Sequence, residues 1–275
     1  MKSRFVSYIV LVVACLILIA PTLSQDLSDI PQVTISVSDG EVTVSPGEIP
    51  SGITTLVFEN PSAEAYDSLV ARFREGVTPE DLIEASSTGD PFAPLQLLHL
   101  YGGTLALPET DTAITLDLKS GMHILLMRPF GPIFFNVVES EGEVEAPEAD
   151  VTLAFVDFAF GFPSKIDTGE LVWHVQNVGE QWHEAVLIRV DEGTSLEEAS
   201  ALVATTLSPT GEPVADSPAD LVYIWPPMDP GENAWITMDL ESGTYVIGCL
   251  LLDLSLMPEM HQHLEHGMIR MFTVE

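Results

Sequence analysis

Short strand-like stretches run through the chain, alternating between apolar and polar residues at 33–37 and 236–240 and more continuously apolar at 171–176, 185–190 and 244–251. They are rich in β-branched residues and bounded by Gly, Pro and Asp, so the period of two predicts strands with one face turned to a core. Two segments break that pattern. Thr78-Pro79-Glu80-Asp81 and Ser195-Leu196-Glu197-Glu198 are helix-start signals, a capping residue followed by proline or by an acid three positions on. They predict helices over roughly 78–87 and 195–206.

The pattern occurs twice. Residues 60–76 align without a gap on 177–193, residues 112–126 (TAITLDLKSGMHILL) match 234–248 (AWITMDLESGTYVIG), and Phe135-Asn136-Val137 matches Phe272-Thr273-Val274. Such self-similarity predicts two copies of one unit. Many short strands with one helical interruption per copy predict an all-β fold of two tandem Greek-key β-sandwiches, each with one helical excursion. The copies are expected at 25–138 and 151–275, joined by an acidic linker at 139–150 that carries Pro147 and should be solvated.

Composition narrows the function. Nine Lys+Arg stand against 42 Asp+Glu, a formal net charge of −33, while 46% of residues are hydrophobic. That apolar content supports a folded core, so the acidity belongs to a surface. The basic residues Arg72, Arg74, Lys119, Arg128, Lys165, Arg189 and Arg270 are scattered, which excludes the phosphate-binding clusters that nucleic acid requires. Basic partners remain compatible, because an anionic surface steers them. Lys2 and Arg4 precede an apolar run over 5–20 and small or polar residues to Ser24. This reads as an export signal at 1–24, too short to span a bilayer comfortably. The expected location is extracytoplasmic, with membrane contact only if the signal stays uncleaved. Loss of Cys15 with the signal leaves Cys249 as the one thiol, so no internal disulfide can form.

The second copy holds all four Trp, five of seven His, the remaining Cys and a Met- and His-rich stretch at 257–271. The first copy is an internal control: Tyr66 stands where His183 stands, Met127 where Cys249 stands, and the connection 128–132 is short and carries no His. A residue demanded by the fold alone should recur; these do not. The second copy resembles the cupredoxin family through Asn177 and His183 on an early strand, Gly243-Thr244-Tyr245 leading into Cys249, and His263 followed by Met268 before the last strand. The resemblance implies one type 1 copper ion, with His183 and His263 as imidazole ligands, Cys249 as thiolate and Met268 as weak axial ligand. Thiolate and thioether suit Cu(I) and imidazoles also accept Cu(II), so the set suits single-electron transfer. Thirteen residues separate Cys249 from His263, a longer connection than the family's usual one, and His261 and His266 compete for the second imidazole.

Two other functions fit the same residues. A flexible loop bearing Met257, Met260, His261, His263 and His266 would suit copper trafficking or tolerance, handing the ion to a donor or acceptor protein. A metal-free β-sandwich could instead have kept Cys249 and Met268 as core filling and bind a partner through its loops. No phosphate loop, dinucleotide fingerprint or His-Glu-x-x-His motif occurs, and a strand-embedded Cys is a poor nucleophile, so no enzyme activity is expected. Zinc on Cys249, His183 and a loop His is chemically open, though the Met-rich surroundings suit a softer ion. His99, His123 and His174 lack sequence partners and are expected to be surface or satisfied structural residues. Asn177-Val178-Gly179 predicts a turn that also supports the His183 strand. The first copy is expected to be copper-free.

Overall fold

The structure, a computed structural model, describes residues 30–275 apart from 39, 91, 208–213, 215–216, 218 and 257–260. The export signal at 1–24 and the loop residues Met257 and Met260 lie outside the described residues. In the first half, β1 (Gln32–Ser38), β2 (Glu41–Ser45), β3 (Glu48–Pro50), β4 (Gly52–Asn60) and β5 (Tyr66–Phe73) precede α1 (Pro79–Ser86) and α2 (Ala93–Gln96). Then come β6 (Leu98–Ala106), β7 (Thr110–Leu118), β8 (Gly121–Met127) and β9 (Ile133–Val138). The second half runs β10 (Val151–Val156), β11 (Ala159–Gly161), β12 (Lys165–Ile166), β13 (Gly169–Asn177), β14 (His183–Val190) and α3 (Leu196–Ala204). It ends with β15 (Asp220–Met228), β16 (Asn233–Leu240), β17 (Gly243–Gly248) and β18 (Ile269–Val274).

The alternation seen in sequence is the alternation of burial. Val33, Ile35 and Val37 of β1 point inward, as do Ala234, Ile236, Met238 and Leu240 of β16. Both main helices carry the capping box their sequences announce: Thr78 and Asp81 bond each other's backbone N–H, as do Ser195 and Glu198. The fold is all-β, two facing sheets with few helices.

The sheets do not stop at the boundary between the halves. One layer has the order β11-β10-β13-β16-β7-β4-β1-β2, the other β12-β18-β17-β14-β15-β6-β5-β8-β9-β3. The halves therefore meet edge to edge twice, at β16 with β7 (Ala234 opposite Leu116, Trp235 opposite Thr115) and at β15 with β6 (Met228 opposite Tyr101). This conceals strand edges that each sandwich alone would expose. The chain is tight at the second junction: Gly102 takes φ +91°, and a Cβ there would lie 2.8 Å from Met228 Cγ of the other half, so the position favours glycine. One core cluster runs through both halves, from Val33, Phe58 and Leu116 to Trp173, Trp225 and Phe272.

Polar groups fasten the junction as well. The buried Asp229 carboxylate accepts from Arg74 Nη2 (3.1 and 3.2 Å), the Leu100 amide (2.6 Å) and Trp182 Nε1 (2.8 Å). His99 Nδ1 lies 3.3 Å from the same carboxylate, and its Nε2 lies 2.6 Å from Glu232. The Trp182 ring packs on the first half's cluster of Leu69, Phe73, Leu82, Leu98 and Leu100.

Candidate metal centre

Three separate pieces of chain deliver the cluster. His183 opens β14, Cys249 directly follows β17, and His263 lies on the connection before β18. Their ligating atoms all lie within 4.8 Å of one another, and this is the group of that kind found among the described residues. His183 Nδ1 is 3.2 Å from His263 Nδ1, and Cys249 Sγ is 3.4 Å from the same nitrogen. The three side chains are fully buried. Met268 is also fully buried, and its peptide group ties to two of them: its N–H donates to the His263 carbonyl (2.9 Å), and its carbonyl accepts the Cys249 N–H (3.1 Å).

The long connection from Cys249 to His263 is closed at its base. The Leu264 amide donates to the Cys249 carbonyl (2.9 Å), the His263 amide to Leu251 (2.8 Å) and the Asp253 amide to His261 (2.8 Å), while Leu252 bridges Gln262. A short antiparallel ladder thus returns the chain beside Cys249, and loop length ceases to set the position of His263. After it, a tight turn whose Gly267 adopts φ +97° brings in Met268.

Turn chemistry on the other side fixes His183. Asn177 Nδ2 donates to the carbonyls of Gln181 and Met228 (2.8 Å each), and its Oδ1 accepts from the Gly179 amide (3.0 Å). The predicted turn is therefore also the support. Asp157, in the turn between β10 and β11, places Oδ1 3.0 Å from His183 Nε2 and also accepts the amides of Glu180 (2.9 Å) and Gln181 (3.3 Å). Burial works against its charge, but these hydrogen bonds, His183's foremost, outweigh it and hold the carboxyl below its ordinary range.

Burial pushes the Cys249 thiol far up, with a smaller push from Glu184, while the amides of Glu184 and Leu251 donate to the sulfur. Glu184 itself is raised to about 8, by burial first and Asp67 second. Burial lowers His183, against the pull of Asp157, and lowers His263 to about 4 with His183's help. At neutral pH both imidazoles are therefore uncharged, each with one lone pair to give. The thiol keeps its proton until a cation replaces it. His263 Nε2 is buried without a partner among the described residues. Two imidazole nitrogens and a thiol, all buried, are a donor set suited to copper in both oxidation states.

The competing histidines stand outside this group. His261 pairs with Glu265 (2.8 Å) and is 46% exposed, and His266 lies 3.6 Å from Asp253. In the first half Tyr66 and Met127 are buried at the matching positions, Tyr66 edge-on to Phe130 at 5.0 Å. His99 bridges Asp229 and Glu232 as described, and His174 stacks on Trp235 at 4.7 Å and bonds Asn233. His123 departs from expectation: it is fully buried, and its Nε2 has no partner among the described residues. Sequence reasoning passed over Asp157, Phe158 and Asp229. A signal existed for Phe158, because the first copy reads Asp39-Gly40 where the second reads Asp157-Phe158.

No family model and no curated protein matches this chain. Among solved structures it is similar to reduced auracyanin from the photosynthetic bacterium Roseiflexus castenholzii, at 22% identity over 45% of this chain and 94% of that one, TM-score 0.33. Rusticyanin from Thiobacillus ferrooxidans aligns at 17% identity over 46% of this chain and 75% of its own, TM-score 0.26. A multi-copper oxidase from Pediococcus acidilactici aligns at 12% identity over 90% of this chain and 59% of its own, TM-score 0.23. The architecture is two-layer all-β, and His183, Cys249 and His263 form a buried donor group that could hold a metal ion.

Proposed function

We propose that this chain is an exported single-electron carrier with one copper ion in its second half, residues 151–275. His183 and His263 would hold it through imidazole nitrogens, Cys249 through its thiolate, and Met268 would add a weak thioether donor. The observation that carries this reading is the convergence of two imidazole nitrogens and one Sγ within 4.8 Å of one another, from three separate pieces of chain, all fully buried. Copper, when bound, supplies the one-electron chemistry. The chain's own part is to keep both imidazoles neutral, exclude water, and hold the donors still enough that a change of oxidation state moves few atoms. The excess of acid over base on the surface suits a basic redox partner. The export signal at 1–24 fits such a role.

Trafficking through the Met- and His-bearing loop is the second reading. The ladder that closes that loop and the burial of His263 weigh against open capture. Titration of the protein with Cu(II) separates the readings. An intense visible band at one equivalent, abolished in Cys249→Ser and retained in Met268→Leu, is expected. Undiminished copper affinity in Cys249→Ser, with loss only on removing His261 and His266, would favour trafficking. Absence of binding would leave a metal-free sandwich.

A further inference from the structure

Phe158 is out of place by the rules of its own turn. The hairpin β10–β11 needs a positive φ at this position, and Phe158 takes φ +61°. The first copy meets the same demand with Gly40, at φ +81°. An aromatic residue in the left-handed region costs on the order of 1 kcal/mol or more and persists only where its surroundings hold it. Here the surroundings are histidines: the Phe158 ring stands edge-on to His263 at 5.3 Å and tilted against His266 at 4.8 Å. The preceding residue, Asp157, puts its carboxylate on the other imidazole, 3.0 Å from His183 Nε2. One two-residue turn therefore touches both imidazoles from outside.

Gly179 supplies a second, independent observation. A Cβ at this position would lie 2.5 Å from Asp157 Oδ1 and 2.7 Å from His183 Nε2, so only glycine lets the chain pass over the contact between them. In the first copy the equivalent residue is Ser62, and Tyr66 replaces the histidine. The half with the cluster thus departs from its sister twice around the same hydrogen bond. Phenylalanine replaces the glycine the turn prefers, and glycine replaces the serine that would block Asp157.

We propose that the Asp157–Phe158 turn is the positioning device of the metal centre: Asp157 fixes His183 as the Nε2–H tautomer with Nδ1 turned to Cys249 and His263, and Phe158 seats His263. This rests on reading the cluster as a metal centre. The donor nitrogen is then presented before any ion arrives, and the carboxylate makes the imidazole a stronger donor, which favours Cu(II) over Cu(I). Phe158 is kept against its backbone preference because its ring packs on the second imidazole.

Three variants of the full chain test this: Asp157→Ala, Asp157→Asn and Phe158→Gly. Nitrogen-15 NMR of the metal-free protein should find His183 as the Nε2–H tautomer, and Asp157→Ala should lose that preference. Chelator competition should then show Cu(II) affinity falling about 10–100-fold in Asp157→Ala, with Cu(I) affinity changed less. Each tenfold fall in Cu(II) affinity relative to Cu(I) affinity raises the reduction potential by about 59 mV. Asp157→Asn, which keeps an acceptor without the charge, should fall between. Phe158→Gly separates site from scaffold: the metal-free melting temperature should hold or rise while Cu(II) affinity falls. An Nδ1–H tautomer of His183 in the metal-free protein, or a Phe158→Gly variant that melts earlier yet binds Cu(II) as before, overturns the proposal. If the parent protein takes up no Cu(II), the carrier function fails. The tautomer then still decides whether Asp157 positions His183.

Discussion

His123 lies between Tyr101 and Phe135, with ring centroids 5.4 and 5.3 Å away. Its Nδ1 is 3.1 Å from the Gly121 carbonyl. Sequence could have placed it, because alternation along β8 puts residue 123 on the same face as the core residues Leu125 and Met127. Burial lowers its pKa from the ordinary 6.5 to about 4, so the folded protein keeps this ring neutral where the unfolded chain protonates it. The stability this contributes is complete above about pH 6.5, declines as pH falls toward 4, and is gone below that, on the order of 3 kcal/mol in all. In the metal-free protein His263, also lowered to about 4, acts in the same window and the same direction. Chemical denaturation between pH 7.5 and 4 should therefore show stability falling on the acid side, with a smaller fall in His123→Phe. Equal slopes in parent and variant would remove His123 from the account.

At the scale of elements, the predicted strands and both capped helices were legible because each depends on neighbours in sequence: Val33, Ile35 and Val37 facing one way, Thr78 bonding Asp81, Ser195 bonding Glu198. The candidate ligands were legible because two copies could be compared, which isolated His183 and Cys249 from Tyr66 and Met127. The spacing of His263 to Met268 already favours it over His261 and His266 in sequence, whereas the closed ladder that brings it beside Cys249 is a pairing of backbone groups that no side-chain pattern announces. Since that ladder, rather than the length of the excursion, sets His263 beside Cys249, residues 254–260 should be dispensable. Replacing them with Asn-Gly, a pair that favours tight antiparallel turns, should leave Cu(II) affinity within about threefold, because the Leu251 and His263 contact is kept. The same excision removes Met257 and Met260. A collapse of affinity measured by chelator competition would return the function to the loop.

For the molecule as a whole, sequence shows self-similar segments but not the way the two halves meet, since edge-to-edge pairing of Met228 with Tyr101 or Ala234 with Leu116 depends on strand edges rather than on local pattern. That junction has a consequence for the division into 25–138 and 151–275, proposed with its linker at 139–150. Every basic residue past the signal is outnumbered on both sides of the linker: Arg72, Arg74, Lys119 and Arg128 before it, Lys165, Arg189 and Arg270 after it. Two acidic halves should repel, and covalent linkage would hide that repulsion. The shared sheets, the common core and the Asp229 carboxylate bonded to Arg74, Leu100 and Trp182 work in the opposite direction. Apolar burial and sheet pairing act at contact and are little affected by screening, whereas like-charge repulsion between exposed acids is screened within about 10 Å at 0.1 M salt. Contact should therefore prevail at moderate ionic strength. Protein cleaved once within 139–150 is expected to elute at the size of the intact chain at 0.15 M salt and to melt in one transition. Its melting temperature should rise with salt more steeply than that of the uncleaved protein. Asp229→Ala in the cleaved form should lower the salt-independent part of that stability, and Trp182→Phe, which loses only the indole N–H, should lower it less. Fragments that separate on a sizing column at 0.15 M salt, each keeping a β-rich circular dichroism spectrum, would mean that the paired edges are incidental and that each half is stable alone.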